Sequence, residues 1–264
     1  MILTAFFVRS NLLSAGAANL LRRERGSLEM LKLRKSEERG YFDHGWLKAR
    51  HSFSFAGYFD RHHMAFRNLR VINEDIVDGG SGFDTHPHRD MEILTYIVSG
   101  ALQHKDSMGN GAVIHPGEVQ YMSAGTGVLH SEFNPGKDPC HLLQIWIMPR
   151  SSGEPPAYDQ RRFNVGPMTR IAAPDDDPAR GEAIGIRADT SLYAGKVPTG
   201  TSQQIPLKHG YGWLQLVKGR IEVTGDSEAV SMSAGDGLAI SEERAVMLRV
   251  SGDEAAEALF FDLP

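Results

Sequence analysis

The residues that decide the fold are GFDTHPHRDMEILTYIVSG at 82–100 and SAGTGVLHSEFN at 123–134. The first stretch runs from an H-x-H motif into β-branched and aromatic residues, and the second leads from a glycine-rich turn into an H-x-E motif. Such runs, bounded by Gly, Pro, Asn and Asp, are typical of strands and tight turns, and here they recur at intervals of roughly 8–12 residues. The sequence therefore predicts an all-β sandwich or barrel fold from residue 31 onward.

Both stretches have a second copy further along the chain. Residues 85–100 (THPHRDMEILTYIVSG) align with residues 204–219 (QIPLKHGYGWLQLVKG). Residues 123–132 (SAGTGVLHSE) align with residues 233–242 (SAGDGLAISE), and six of these ten positions are identical. Two matches in the same order indicate duplicated β domains.

A segment rich in Ser, Gly and Pro, residues 149–156, separates the two copies and is typical of an interdomain linker. We therefore expect one β-barrel domain over residues 31–150 and a second over residues 151–264. Residues 1–30 are expected to form an N-terminal extension without a fixed structure.

The extension permits two interpretations. Residues 1–29 contain four arginines and no acidic residue before Glu24, which resembles a transit peptide. An unstructured extension, or an upstream start codon with Met30 as the alternative first residue, explains the same features, and we favour this second interpretation. The folded part is expected to begin near Leu31.

The two copies differ in their histidines. The alignment pairs His86 with Ile205, His88 with Leu207, His130 with Ile240, and Glu132 with Glu242. Three coordinated replacements of histidine by aliphatic residues indicate a site that is present in the first domain and filled by apolar packing in the second. We expect the three aliphatic side chains to lie where the three histidines lie in the first domain.

The histidines have the spacing of metal ligands on strands. Residues i and i+2 of a strand face the same side, so His86 and His88 point together, as do His130 and Glu132. If the two strands are neighbours, three imidazoles and one carboxylate converge. Such a shell suits Fe(II), Mn, Co, Ni, Cu or Zn, and the spacing cannot choose among them. The single cysteine, Cys140, excludes a thiolate cluster and is expected to be a buried, inert thiol.

Gly82–Gly100 and Ser123–Asn134 resemble the two cupin motifs in the form found in the pirin family, and the resemblance extends over nearly all of residues 31–264. It implies a bicupin: two β-barrel (double-stranded β-helix) domains packed face to face, with a metal only in the first. Many cupins take their carboxylate ligand from the position that is Glu92 here, and strand parity leaves Glu92 and Glu132 both open. The pirin pattern favours Glu132, which leaves Glu92 a supporting or structural role.

The resemblance is greatest to bacterial pirin-like proteins of the quercetin 2,3-dioxygenase type. It implies a metal-dependent dioxygenase, with Fe(II) as the expected metal, that cleaves a flavonol-like aromatic substrate with O₂. Glu132 would also serve as the catalytic group that accepts the substrate's hydroxyl proton. Two alternatives stay open: a non-enzymatic metal- or redox-sensing regulator that binds partner proteins, and a cupin isomerase or sugar-binding enzyme.

Composition narrows the remaining classes. The net charge of −5 argues against direct binding of nucleic acid, and no apolar run approaches the roughly 20 residues of a membrane span. We expect a cytoplasmic monomer. His104 and Asp106 lie in a polar segment, QHKDSMGN, for which turn chemistry is a sufficient explanation.

Overall fold

The computed structural model describes residues 30–264, and nearly all of its regular structure is β-strand. Within this range the one helical element is a 3-10 turn, Ser36–Glu38. None of the helical structure there is long or apolar enough to cross a membrane. The predicted all-β class is confirmed, and the expectations for residues 1–29 lie outside the described residues.

The strands follow one another through short turns. In the first part of the chain they are β1 (Leu31–Arg34), β2 (Gly40–Asp43), β3 (Leu47–His51), β4 (Leu69–Val77), β5 (Gly82–Ser99), β6 (Leu102–Asp106), β7 (Gly111–Ile114), β8 (Glu118–Phe133), β9 (Cys140–Ile147) and β10 (Ala157–Arg162). In the second part they are β11 (Thr169–Pro174), β12 (Ile184–Ile186), β13 (Ser191–Val197), β14 (Ser202–Pro206), β15 (Tyr211–Lys218), β16 (Arg220–Thr224), β17 (Ala229–Ser233), β18 (Gly237–Ser241), β19 (Ala245–Val250) and β20 (Ala256–Leu263).

These strands form three sheets. A nine-stranded sheet has the order β2-β3-β4-β9-β5-β8-β6-β7, with β10 also paired to β8. A seven-stranded sheet, β1-β18-β15-β20-β13-β11-β12, and a four-stranded sheet, β14-β19-β16-β17, form the second half. Relative to the predicted division near residue 150, two strands cross over: β1 pairs with β18 of the second half, and β10, which follows residue 150, pairs with β8 of the first. The division near residue 150 stays a prediction, with one strand crossing in each direction.

The two halves pack face to face through a shared apolar core. It combines residues of β4, β5, β8 and β9 with residues of β11, β13, β15 and β20. The ring of Phe53 lies 4.9 Å from the ring of Trp213, centroid to centroid. The Tyr96 hydroxyl donates a hydrogen bond of 2.6 Å to Glu257 across the same interface. The cupin-type bicupin arrangement is thereby confirmed.

Strands β5 and β8 are long, and their pairing is irregular near the middle. They span 18 and 16 residues, and their pairing is interrupted by register shifts between Phe83 and His86 and between His88 and Asp90. At the second shift Gly125, the partner of Asp90, has a φ of 47°, and a Cβ there would overlap the carbonyl oxygen of Glu154. The inner parts of both strands are buried in the core, whereas the outer parts pair His86 with His130 at the mouth of the first half.

Strand register corrects one part of the repeat alignment. His86 pairs with His130 across β5 and β8, and the aligned residue Ile205 pairs with Val246 across β14 and β19. The counterpart of His130 is therefore Val246, and the expectation that Ile240 takes this place is wrong.

Ile240 has a different counterpart, Met122. Met122 pairs with Ile93, and Ile240 pairs with Gly212, the residue aligned with Ile93. The similarity between residues 123–132 and 233–242 is a local likeness of glycine-containing segments. In the fold, the turn at Ser233–Asp236 instead matches the turn at His115–Glu118, since each closes with the same backbone hydrogen bond.

With the corrected register, apolar residues of the second half still occupy the places that the histidines and Glu132 occupy in the first. His104 on β6 is opposite Glu132 in the first half, and Val223 on β16 is opposite Leu248 in the second. All residues at the corresponding places of the second half are buried in one apolar cluster: Ile205, Leu207, Val246 and Leu248. Within residues 30–264, the groups of three side chains suited to a metal lie in the first half.

Candidate metal centre and its cavity

Three imidazole nitrogens converge at the mouth of the first half. The Nε2 atom of His130 lies 2.8 Å from Nε2 of His88 and 3.0 Å from Nε2 of His86. Two nitrogens that each bind one metal at about 2.1 Å and at right angles lie about 3.0 Å apart. The cluster therefore has the dimensions of one face of a metal coordination shell.

Hydrogen bonding and burial leave these nitrogens free to bind a cation. The Nδ1 atom of His86 lies 2.7 Å from the carbonyl oxygen of Asp84, so this nitrogen carries the proton and Nε2 keeps its lone pair. Burial, with the neighbouring His86 adding to it, lowers the pKa of His88 to about 4. Burial and the surrounding histidines lower the pKa of His130 to about 2. Both rings are neutral at physiological pH, as metal ligands must be.

Glu132 lies beside this cluster, on the side of His130. Its side chain is buried, and a carboxylate oxygen lies within 4.8 Å of ligand atoms of both His104 and His130. The amide of Gln144 donates to its two oxygens at 3.0 and 3.3 Å, and the Thr95 hydroxyl donates to Gln144 at 2.7 Å. Burial raises the pKa of Glu132 to about 7, against the hydrogen bond from Gln144.

Glu92, the other carboxylate that sequence parity allowed, lies elsewhere. It is fully buried and accepts hydrogen bonds from the Tyr121 hydroxyl, from Ser123 Oγ at 2.6 Å and from the backbone N–H of Arg187 at 2.8 Å. These partners place Glu92 at the contact between the two halves. Asp90 accepts a hydrogen bond from the backbone of Gly153 and thus holds the connecting segment.

The polar segment QHKDSMGN between the motifs contains both the expected turn and a buried histidine. Asp106 accepts backbone N–H groups of Met108 and Asn110, so the expected turn chemistry is present. His104, however, is a strand residue of β6 rather than a loop residue, and it is completely buried against His130.

A cavity of about 390 Å³ opens beside the histidines. Its walls are the aromatic rings of Trp46, Phe55, Phe83 and Trp146, together with His86, His88, Glu132 and Gln144. Two nearby aromatic residues of the N-terminal part differ in their surroundings: Phe53 belongs to the shared apolar core, whereas Phe55 borders this cavity.

Three polar atoms in the cavity wall lack a partner within the protein. They are Asn73 Oδ1, Asp75 Oδ1 and Trp146 Nε1. Burial and the charge of Glu132 raise the pKa of Asp75 to about 7, against the charge of Arg39. Buried polar atoms of this kind normally have a hydrogen-bond partner, so this wall differs from an ordinary apolar core.

Sequence reasoning missed Asn73, Asp75 and Gln144, although a signal was present. Asn73 and Asp75 share strand parity with the buried residues Val71 and Val77 of β4. A polar residue at an inward position of an otherwise apolar strand indicates either a hydrogen-bonded network or a site.

Comparisons with known proteins agree with this geometry. The family models described as Pirin and as Quercetinase C-terminal cupin domain match residues 32–147 and 171–263. The chain is 45% identical over 239 residues to the quercetin 2,3-dioxygenase of Escherichia coli K12, covering 89% of this chain and 99% of that protein. It is 36% identical over 238 residues to a pirin-like protein of Caulobacter vibrioides, covering 88% of this chain and 99% of that one.

A solved structure adds a metal to the comparison. The crystal structure of the bacterial pirin YhhW from Escherichia coli in complex with nickel(II) has a TM-score of 0.82 and 44% sequence identity, and it covers 89% of this chain and 99% of that chain. Together with the histidine cluster, this similarity supports a divalent metal site in the first half of the chain.

Proposed function

Because the chain belongs to the pirin family, we propose that it is an iron(II)-dependent dioxygenase that cleaves a flavonol-like aromatic substrate with O₂. The observation that carries the proposal is the convergence of the His86, His88 and His130 Nε2 atoms at the edge of a cavity with aromatic walls. A regulator without enzymatic activity is not favoured, because a surface that binds partner proteins does not need an aromatic cavity beside the histidine cluster.

In this proposal His86, His88, His130 and Glu132 hold the metal. A bound divalent metal would supply a Lewis acid and a redox partner for substrate and O₂. The cavity borders His86 and His88 directly, so a substrate bound there would lie next to a metal held by these residues.

Glu132 is proposed as the group that accepts the substrate's hydroxyl proton. Glu132 lines the cavity, and a carboxylate within hydrogen-bond reach of a substrate hydroxyl can accept its proton. Gln144 and Thr95 hold its oxygens in place from the neighbouring strands. The proton would be taken up on a Glu132 carboxylate oxygen at the inner end of the cavity.

The cavity wall supports a flat, hydroxylated aromatic substrate. A volume of about 390 Å³ lies within the range of small-molecule sites. Asn73, Asp75 and Trp146 add polar side chains to a wall that is otherwise largely aromatic. The rings of Phe55 and Trp146, whose centroids lie 5.2 Å apart, would exclude water from the substrate.

The test is to load the metal-free protein with Fe(II), Ni(II), Cu(II), Co(II), Mn(II) or Zn(II) separately and to follow quercetin loss and CO release under O₂. We expect turnover with at least one metal and its loss in His86→Ala and His130→Ala. His115→Ala, which changes a histidine away from the cluster, is the matched control. Intact metal binding without turnover for any metal would contradict the proposal. The predicted monomer and the predicted lack of nucleic-acid binding are checked separately by light scattering and by DNA titration.

A further inference from the structure

A second titratable pair lies directly behind the histidine cluster. His104 and Asp106 are two residues apart on β6, and both side chains are completely buried. The strand pairs with β8, so that His104 is opposite Glu132 and Asp106 is opposite His130. His104 Nε2 lies 3.0 Å from Asp106 Oδ2, and His104 Nδ1 lies 3.4 Å from His130 Nδ1.

The hydrogen bonds of Asp106 determine where the proton of His104 sits. Its Oδ1 accepts the backbone N–H groups of Met108 and Asn110, at 2.9 and 3.0 Å. Its Oδ2 accepts the side-chain amide of Asn110 at 2.9 Å. A carboxylate surrounded by donors is itself an acceptor, so His104 Nε2 carries a proton and donates it.

The position of the proton on His104 in turn fixes the position of the proton on His130. A neutral imidazole has one ring proton, so His104 Nδ1 presents a lone pair to His130 Nδ1. His130 Nδ1 consequently carries the proton of its own ring, and His130 Nε2 is left as a lone pair that faces His86 and His88. The opposite order would place a proton on His130 Nε2 and block it as a ligand.

We propose that Asp106 and His104 are positioning residues that fix the ring form and orientation in which His130 presents Nε2 to the metal. This inference rests on the metal site of the proposed function, not on the dioxygenase reaction. It assigns a role in the site to two residues for which turn chemistry was a sufficient explanation of the sequence.

The second half of the chain supplies independent support. By strand register the counterpart of His104 is Val223, since Val223 is opposite Leu248 as His104 is opposite Glu132. Two residues further on, the counterpart of Asp106 is Gly225. A pair needed only for the barrel or its turn could occur in both halves, whereas this pair is absent where the histidine ligands are absent.

Packing keeps the His104 ring in the required plane. The ring stacks on Tyr158 of β10, with centroids 5.1 Å apart and planes inclined by 28°. The Tyr158 hydroxyl points elsewhere, to Gln160 at 3.0 Å. Tyr158→Phe is therefore a matched control: it changes the neighbour of His104 but keeps the ring contact and the hydrogen bonds of His104 to Asp106 and His130.

The test uses the full-length protein and two readouts besides activity. Long-range ¹H–¹⁵N spectra of histidine-labelled, metal-free protein report which ring nitrogen is protonated. Chelator competition measures the affinity for Ni(II) alone and for Zn(II) alone. The variant Asp106→Asn keeps an oxygen for the Met108 and Asn110 backbone groups, but its amide no longer favours a donor at His104 Nε2.

We expect wild-type His130 to be protonated at Nδ1 and His104 at Nε2. In Asp106→Asn this pattern should be lost and metal affinity should fall about 10- to 100-fold, whereas Tyr158→Phe should change affinity less than about twofold. A proton on His130 Nε2 in the wild type would overturn the inference even if the variant does not fold. So would a folded Asp106→Asn with wild-type spectra and affinity. Absence of quercetin turnover would refute the proposed function but leave both readouts valid.

Discussion

Replacing Glu92 with glutamine tests whether this carboxylate stabilises the fold or binds the metal. Glu92 accepts hydrogen bonds from Tyr121, Ser123 and Arg187, and all of them are donors. The new NH₂ group would either face the backbone N–H of Arg187, which can only donate, or force the Ser123 hydroxyl to reverse and accept. Each bond to a buried carboxylate contributes about 1.5–3 kcal/mol, so we expect Glu92→Gln to lower the free energy of unfolding by about 2–4 kcal/mol. For a protein of this size the loss corresponds to a fall in Tm of roughly 5–15 °C.

The assay compares Glu92→Gln with Glu132→Gln in two measurements. Thermal unfolding of the metal-free protein should show the loss for Glu92→Gln, while its Ni(II) affinity stays within about twofold of wild type. Glu132→Gln should do the reverse, because burial opposes the charged form of Glu132 and the variant removes that charge. A tenfold or greater loss of Ni(II) affinity in Glu92→Gln, with stability unchanged, would refute this reasoning and make Glu92 the ligand.

Three further predictions concern stability. Burial raises the pKa of Glu74, but hydrogen bonds from His141 and Arg39 outweigh it and lower the pKa from its ordinary 4.5 to about 2. The resulting stabilisation of the folded protein, on the order of 1–3 kcal/mol, is present above about pH 5 and is lost as pH falls toward 2. In denaturant titrations, the free energy of unfolding should therefore change less between pH 7 and pH 3 for Glu74→Gln than for wild type. Leu248→Ala should cost about 2–4 kcal/mol in unfolding free energy with Ni(II) affinity unchanged, and a loss of affinity would mean that the second half takes part in the site. Gly125→Ala should cost about 1–3 kcal/mol because of both its φ and the Glu154 carbonyl, and more than Gly45→Ala, which has a φ of 82° and open space; equal effects would remove the role of the close approach.

The fold was predictable because its signals are local. Alternating apolar residues and turn residues identify strands wherever they occur, and the match between residues 85–100 and 204–219 reflects a true equivalence in register. The exchange of β1 and β10 between the halves was not predictable. Strand pairing between distant segments depends on how the halves pack, and no local pattern encodes it.

The candidate site was predictable where it depends on parity within one strand. His86 and His88 face the same side, and the structure brings both to His130. His104, Gln144 and Asn73 could not be placed in this way, because each reaches the site from a different strand. Their contribution depends on the order β4-β9-β5-β8-β6 across the sheet, which only the structure provides.

The contrast between the two halves has an energetic reason. The first half buries His104, His130, Glu132 and Asp75 in its interior, and polar groups in such places oppose folding unless they are paired. The second half fills the same framework with Ile205, Leu207, Val246 and Leu248, whose burial stabilises it. Because the two halves share one apolar core and exchange strands, the stability of the second is coupled to the first. The apolar second half can therefore offset the cost of holding a polar interior in its neighbour.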